Sequence, residues 1–256
     1  MDRDPTPVAE FGTATPSVAR TYDYLLGGKD NYEVDRQAVE MLRTVAPEAP
    51  VTARMNREFG KRAVRYIAEQ GIRQFIDLGS GIPTSPPSVH DAVRGVNPTV
   101  RVVYVDVDPV VAAHSRALRS IGPGLDTILA DIRRPETVLD HPDLQALIDF
   151  NEPVGVVIFS VLDVIEDKDN PLGIFRQFRE RMTPGSYLGI SHLSARSAPD
   201  AIARPQRSLL RWAEFRPFCV LPTWCAHCPS SGCTGSCWEW CSTPQFSCCS
   251  RPGRGQ

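Results

Sequence analysis

The sequence predicts an α/β fold, in which a mostly parallel sheet carries helices on both faces and follows a helical N-terminal extension. Two observations predict it. After about residue 73, five short apolar runs alternate with stretches of helical periodicity. The runs are apolar on both faces, as strands of a buried parallel sheet are. Before residue 73, apolar side chains recur at helical spacing.

Composition sets the first limits on size and partners. The chain has 256 residues, of which 42% are hydrophobic and 23% charged, with a formal net charge of -2. This length suffices for one or two domains with a sizeable core. The small net charge gives no argument for a nucleic acid or an anionic lipid as partner. Because we find neither a long apolar run nor a signal-like start, we expect no membrane partner and a cytoplasmic location.

Three helices are predicted ahead of the sheet. Residues 1–16 are rich in Pro and Thr, which predicts a disordered start. Ser17 suits the N-cap of the first helix, and Gly27 follows its end. The three helices are predicted at residues 17–26, about 30–44 and about 51–70, each with one apolar face. We therefore assign residues 17–72 to a helical extension or lid.

The alternating region, residues 73–200, is predicted to form a ligand-binding domain of βαβ units. Its strands are predicted at residues 74–77, 101–106, 127–131, 154–160 and 186–192. Its helices are predicted at about residues 86–96, 109–120, 141–150 and 171–182. Ligands of open parallel sheets bind beyond the carboxyl ends of the strands. Three strands end in Asp77, Asp106 and Asp131, so we expect carboxylates at that edge.

A glycine-containing turn follows the first strand, where Asp77 is followed by Gly79, Ser80 and Gly81. The glycines permit a tight turn and a close approach of ligand to backbone, although an ordinary strand-to-helix turn has the same pattern. NAD would require a third glycine where Thr84 stands, and the Asp77 carboxylate would repel its diphosphate. Because the same carboxylate suits an ammonium or a sulfonium, we favour S-adenosylmethionine (SAM) over NAD.

Two further carboxylates extend the predicted site. Asp106 follows Gly81 by 25 residues, at a strand end where an acid can accept hydrogen bonds from both ribose hydroxyls. NAD and SAM share that need, so Asp106 supports an adenosine-type ligand without choosing between them. Asp108 is a second candidate for this role. Asp131 can accept a hydrogen bond from the adenine amino group or cap the stretch that begins at Ile132.

Four segments together carry a resemblance to a known family. They are Ala19–Tyr32 (ARTYDYLLGGKDNY), Asp77–Thr84, Val103–Pro109 and Met182–Leu188. They resemble a family of SAM-dependent methyltransferases common in GC-rich bacteria, and the first segment is the most specific. The resemblance spans about residues 15–194. It implies a Rossmann-like class I methyltransferase fold of seven strands with a helical N-terminal extension, and SAM as cofactor.

The resemblance also assigns roles by position. It implies that Asp77, Gly79 and Gly81 cradle the methionine part of SAM, that Asp106 binds the ribose, and that Asp131 binds the adenine. With the intervening serine, the predicted cofactor-binding residues are Asp77, Gly79, Ser80, Gly81, Asp106 and Asp131.

The catalytic residues are less well indicated. Methyl transfer needs a general base only for acceptors that must lose a proton. His192, at the end of the fifth strand, is the one weak candidate, since a lone His is more often structural. The resembled family often has Val-Leu-His-Phe after strand four, whereas this chain has Val-Leu-Asp163-Val. Any role of that His is therefore in doubt, and we interpret Asp163 as part of a solvated acidic loop. No Asn/Asp-Pro-Pro-Tyr motif follows strand four, so DNA methylation has no support.

The N-terminal aromatic segment has two interpretations that stay open. Tyr22, Tyr24 and Tyr32, with Lys29 and Asp30, can form a lid over the SAM site or part of the substrate pocket. Alternatively, the aromatic rings pack two helices together.

Residues 201–256 differ in composition from the rest of the chain. They contain all eight cysteines and all four tryptophans, and neither Asp nor Lys. We favour out-of-frame translation of a GC-rich gene as the explanation, which predicts a disordered tail. A zinc module at Cys225, Cys228, Cys233 and Cys237 has permissive spacing. A disulfide knot would require an oxidising compartment. In the favoured case the β-hairpin that normally follows strand five is missing or altered, and that strand exposes an edge.

The sequence thus predicts a SAM-dependent methyltransferase that acts on a small-molecule acceptor. The alternative is a truncated or degenerate SAM-binding protein without catalysis. A NAD-dependent oxidoreductase is disfavoured by Thr84 and Asp77. The sequence makes no prediction about the identity of the acceptor or the oligomeric state.

Overall fold

The computed structural model describes residues 14–83 and 88–192, and the backbone of residues 219–222. Thr84, the start of the chain up to residue 13, and the four cysteines of the zinc hypothesis lie outside these residues. Within the described part of the chain, no helix combines the length and apolar character that crossing a membrane requires.

The order of helices and strands confirms the predicted α/β class. Three helices come first: α1 (Val18–Leu25), α2 (Glu33–Val45) and α3 (Ala49–Glu69). The alternating region begins with β1 (Gln74–Leu78), α4 (Val89–Arg94), β2 (Arg101–Asp106), α5 (Pro109–Leu118) and β3 (Leu125–Leu129). It continues with α6 (Pro135–Leu139), α7 (Pro142–Leu147), β4 (Gly155–Phe159), α8 (Pro171–Arg181), β5 (Tyr187–Ser191) and β6 (Cys219–Pro222). The short helix α6 was not predicted, and Pro135 at its first position is a typical helix start.

The sheet has the strand order β3-β2-β1-β4-β5-β6. The first five strands are parallel, and β1 lies between β2 and β4. The strand order therefore reverses at β1, which creates the crevice where open α/β sheets bind ligands. The structure differs from the expected open edge beyond strand five, because β6 pairs antiparallel with β5 from Ile190 to Tyr187. Among the described residues a single strand occupies the place of the expected hairpin.

Each face of the sheet is covered by a separate hydrophobic cluster. On one face, α3 and α4 contribute Val64, Ile67 and Val93, which are buried with Phe75 of β1. The other face carries α6, α7 and α8, with Phe178 buried against it. Side chains alternate between faces along a strand, so both sides of each central strand are apolar, as the sequence predicted. Helix α3 is therefore part of the core of the sheet domain as well as of the N-terminal helical segment.

A buried ion pair holds the first two helices together. Nε of Arg20 lies 2.8 Å from Oδ2 of Asp35, and both side chains are almost fully buried. The other oxygen of Asp35 accepts from the backbone N–H of Ser17 at 2.9 Å. Helix α1 begins after Ser17 as predicted, but the Ser17 side chain does not cap it. Its hydroxyl instead donates to Asp108, at the end of β2.

We expect Asp35→Ala to destabilise the protein by about 3–5 kcal/mol, because the substitution leaves a buried guanidinium without its carboxylate. The measurement is urea denaturation followed by circular dichroism. Glu33→Ala is the matched control, since Glu33 lies in the same first turn of α2 and forms an exposed pair with Arg36. The control should unfold at the wild-type urea concentration. Equal midpoints for both variants would contradict a stabilising role for the buried pair.

Candidate functional site

A cavity of about 360 Å³ lies at the carboxyl ends of the parallel strands. Five of the six predicted cofactor-binding residues line it: Asp77, Gly79, Ser80, Asp106 and Asp131. Two predicted site residues, Gly81 and His192, are not among its lining residues. Residues of α1 and α3 line the cavity as well, so the N-terminal helices contribute to its wall.

The turn after β1 owes its shape to two glycines with positive φ. Gly79 has φ +72° and Gly81 has φ +62°, a region that side-chain-bearing residues rarely adopt. A Cβ atom at Gly79 would clash with the side chain of Val161, so both the positive φ and the approach of the segment after β4 favour glycine here. The N–H of Gly81 donates to Oδ2 of Asp106 at 2.8 Å. Gly81 therefore supports the site through Asp106 rather than lining the cavity.

Asp106 ends β2 and is 7% exposed. Its two oxygens accept from the N–H groups of Gly81, at 2.8 Å, and Asp108, at 3.0 Å. Burial raises the pKa of the Asp106 carboxyl, while these two bonds oppose the increase. A carboxylate offers about four acceptor positions, so Asp106 keeps capacity for ligand hydroxyls. Asp108 does not line the cavity, because its side chain caps α5 through the N–H of Val110.

Asp77 lies in β1, one residue before the strand ends. Burial raises the pKa of its carboxyl to about 6, against the lowering effect of the positive charges of Arg119 and Arg57. No described residue donates a hydrogen bond to the Asp77 side chain. A poorly hydrated carboxylate of this kind is stabilised by a cation placed beside it. The cavity therefore contains an acceptor suited to the cationic part of a ligand.

Arg119 is a site residue that the sequence did not reveal. It follows α5, is 2% exposed, and lines the cavity. One guanidinium nitrogen donates to the carbonyl oxygens of Gly81, at 2.9 Å, and Ser80, at 3.2 Å. The guanidinium also lies over the ring of Tyr104, 5.0 Å from its centroid. Arg119 thus stabilises the glycine turn through its main-chain carbonyl groups. The sequence did not indicate this role, because the turn lies almost forty residues earlier in the chain.

Asp131 lies two residues beyond the end of β3, and its side chain has the predicted capping role. It lines the cavity, and it also accepts from the backbone N–H of Arg133 at 2.9 Å. The Arg133 guanidinium binds both of its oxygens, at 3.0 and 2.7 Å. Hydrogen bonding to Arg133 lowers the pKa of Asp131. Across residues 14–83 and 88–192, no group of three or more His, Cys, Asp or Glu residues is placed to hold a metal ion.

Asp163 contradicts the interpretation of a solvated acidic loop. Its side chain is buried, and Oδ1 lies 2.7 Å from Nδ1 of His192. The exposed neighbours Glu166 and Asp167 do fit that interpretation. His192 directly follows β5 and is 42% exposed. The imidazole of His192 and the Asp163 carboxylate are therefore in direct contact. A buried carboxylate therefore holds the one predicted catalytic candidate.

The aromatic N-terminal segment combines features of both interpretations. Tyr22 lines the cavity, and its hydroxyl donates to the carbonyl of Ala53 at 3.0 Å. The amide of Asn56 donates to the same hydroxyl at 2.8 Å. Tyr22 and Tyr24 also pack against the hydrophobic cluster of α1, α2 and α3. Tyr24, Lys29, Asp30 and Tyr32 do not line the cavity, so the segment contributes to the site through α1.

Comparisons with known proteins agree with this geometry. A model of the S-adenosyl methyltransferase family matches residues 5–214, which extends fourteen residues into the segment that we separated at residue 201. The search of curated proteins finds no match.

Two solved structures are similar to this chain over most of their length. A protein of Streptomyces avermitilis from the DUF574 family is 37% identical with a TM-score of 0.74, over 81% of this chain and 80% of that one. A protein of Thermobifida fusca, named as a candidate methyltransferase, is 36% identical with a TM-score of 0.71, over 81% and 75% of the two chains. The family match and these two structures show that the chain belongs to the S-adenosyl methyltransferase family, as a SAM-dependent methyltransferase with SAM as its cofactor.

Proposed function

We propose that the chain transfers a methyl group from SAM to a small-molecule acceptor inside the cavity described above. The observation that carries the proposal is a single cavity that combines Asp77, Ser80 and Asp106 of the strand ends with the apolar side chains of Val18 and Val64. A cavity of about 360 Å³ falls in the range of small-molecule sites. The cytoplasmic location stays a prediction from the sequence.

In this proposal, each part of SAM has a matching group on the sheet edge. Asp77 receives the positive charge of the methionine part, and the backbone of Gly79 and Ser80 permits its close approach. Asp106 accepts from the ribose hydroxyls through its remaining acceptor positions. Asp131, which Arg133 holds at 2.7 Å, is the proposed acceptor for the adenine amino group.

When bound, SAM supplies an electrophilic methyl group on a positively charged sulfur. The contribution of this chain is to align the acceptor with the methyl group and to exclude water. A reaction between two free molecules then becomes a reaction between two groups held in a fixed geometry. Helix α1 contributes through Val18, Ala19 and Tyr22, which line the cavity. No residue needs to form a covalent bond for this reaction.

His192 is the proposed proton acceptor for an acceptor molecule that must lose a proton. The Asp163 carboxylate, 2.7 Å from the imidazole, fixes the ring and stabilises the imidazolium that forms. Ser160 lines the cavity, and its N–H donates to the Ser191 hydroxyl at 2.9 Å. His192 follows Ser191 directly, so the imidazole lies at the same sheet edge as the cavity.

The first test is isothermal titration of the purified full chain with SAM. We expect Asp106→Ala to weaken binding by roughly 10- to 100-fold, as loss of a hydrogen bond to a charged group does. Asp140→Ala is the control, because Asp140 pairs with Arg181 on the surface and lies outside the cavity.

Formation of S-adenosylhomocysteine from SAM in the presence of cell extract then separates an enzyme from a binding protein without catalysis. Absence of binding by the wild-type chain would overturn the proposal.

SAM affinity should decrease as the pH falls below about 6, because the Asp77 carboxyl must then lose a proton before it receives a cation. Above that pH the carboxylate is already ionised, so this contribution to affinity is constant. Titrations in buffers of different ionisation enthalpy measure the protons released on binding. In Asp77→Asn, the release at pH 5 should fall by about one proton. An unchanged proton release in that variant would exclude Asp77 as the cation-binding group.

His192→Gln should lower the rate of SAM turnover by roughly 10²- to 10⁴-fold. The expected cause is loss of the proton acceptor, so SAM affinity should not change. Initial rates of S-adenosylhomocysteine formation with cell extract, measured between pH 5 and 9, provide the test. His141→Gln is the control, because the His141 side chain caps the start of α7 through the N–H of Asp143. A His192→Gln profile that matches wild type would exclude His192 as the base.

A further inference from the structure

Four cationic side chains line the cavity: Arg57, Lys61, Arg119 and Arg133. Three of them are engaged by neighbouring groups. The ammonium of Lys61 lies 2.6 Å from Oε1 of Glu58. Arg119 donates to two carbonyl oxygens of the glycine turn, and Arg133 binds the Asp131 carboxylate at 2.7 Å.

Arg57 is the remaining cation of the cavity wall. It lies in α3, is partly exposed, and its guanidinium has no hydrogen bond or ion pair with the residues that the structure describes. A guanidinium presents a planar fork of donors that matches a carboxylate in two parallel hydrogen bonds. A ligand carboxylate in the cavity is therefore the chemically matched partner for Arg57.

The presence of Asp77 in the same cavity indicates which kind of ligand supplies the carboxylate that binds Arg57. Both residues line the same cavity. The positive charge of Arg57 also acts on Asp77, where it opposes the burial that raises the pKa of that carboxyl. In an α-amino acid, the ammonium and the carboxylate are attached to one carbon atom. An anionic and a cationic side chain that line one cavity are thus complementary to an amino-acid zwitterion, which the methionine part of SAM contains.

We propose that Arg57 binds the α-carboxylate of the methionine part of SAM, next to the ammonium that Asp77 receives. This assignment rests on the proposed cofactor site and adds α3 to it. Helix α3 then has two functions, since Val64 and Ile67 pack on the sheet while Arg57, about two turns earlier, contacts the cofactor. The turn after β1 binds one side of the amino-acid group, and α3 binds the other.

The test compares two neutral-sulfur ligands that differ in a single group. S-adenosylhomocysteine carries the ammonium and the carboxylate, whereas S-adenosyl-3-thiopropylamine carries only the ammonium. Isothermal titration of the full chain with each ligand gives the affinities for wild type, Arg57→Gln and Arg57→Lys. We expect Arg57→Gln to bind S-adenosylhomocysteine roughly 10- to 100-fold more weakly, as for other hydrogen bonds to charged groups. Arg57→Lys should be intermediate, because it keeps the charge and loses the fork.

Binding of S-adenosyl-3-thiopropylamine should be the same in all three proteins, which shows that the variants are folded and that the effect belongs to the carboxylate. Arg54→Gln is the matched control on the same helix, since Arg54 is exposed and does not line the cavity. Unchanged S-adenosylhomocysteine affinity in Arg57→Gln, or an equal loss for both ligands, would overturn the proposal. Failure of wild type to bind any adenosyl ligand would instead overturn the cofactor site itself.

Discussion

The site depends most on the burial of the Arg119 guanidinium beneath the glycine turn. Removing a cation from water costs several kcal/mol unless other groups replace the lost hydration. Here the carbonyl oxygens of Ser80 and Gly81 replace part of it. The face of Tyr104 adds a cation–π contact. The negative charge of Asp77 acts on the same guanidinium and opposes the effect of burial. The turn that shapes the cavity is therefore fixed by long-range electrostatic contacts as well as by its two glycines.

The same network connects the N-terminal helices to the sheet edge. Asp106 accepts from the N–H of Asp108, and Asp108 in turn accepts from the hydroxyl of Ser17. Arg20, which lies 3.6 Å from Asp108, also holds Asp35. The groups that close the cavity are thus linked by hydrogen bonds to the carboxylate at its base. The N-terminal helices and the cofactor edge are therefore joined by direct polar contacts.

Local sequence pattern was sufficient for most of the fold. The strand predicted at residues 101–106 matches β2 in full, because an uninterrupted run of β-branched and aromatic side chains suits only a buried strand. The glycine turn was equally readable, since few residues besides glycine adopt positive φ. Helix α6 was missed because its five residues are too few to show a period. The partner of β5 was also missed, since pairing across an edge leaves no trace in the spacing of either strand.

The site residues that the sequence did not predict all depend on the tertiary surroundings of a side chain. Asp163 lies among exposed acidic residues, and an acidic run by itself indicates a solvated loop. Only the packing of the segment after β4 buries this one carboxylate against His192. Likewise, Arg57 is one of several arginines on α3, and helical periodicity cannot select the one that faces a cavity formed by other elements.

The amino-acid sequence alone determined the α/β class, the presence of carboxylates at the ends of successive strands, and the acidic character of the cofactor site. Each of these features arises from residues that are close together in sequence. Hydrophobic periodicity specifies the elements, and carboxylates at strand ends specify one edge of a parallel sheet. The tertiary structure alone decided which charges are buried, which are paired, and which cation remains for a ligand. Those outcomes depend on contacts between residues tens of positions apart, whose energies are set by burial and distance.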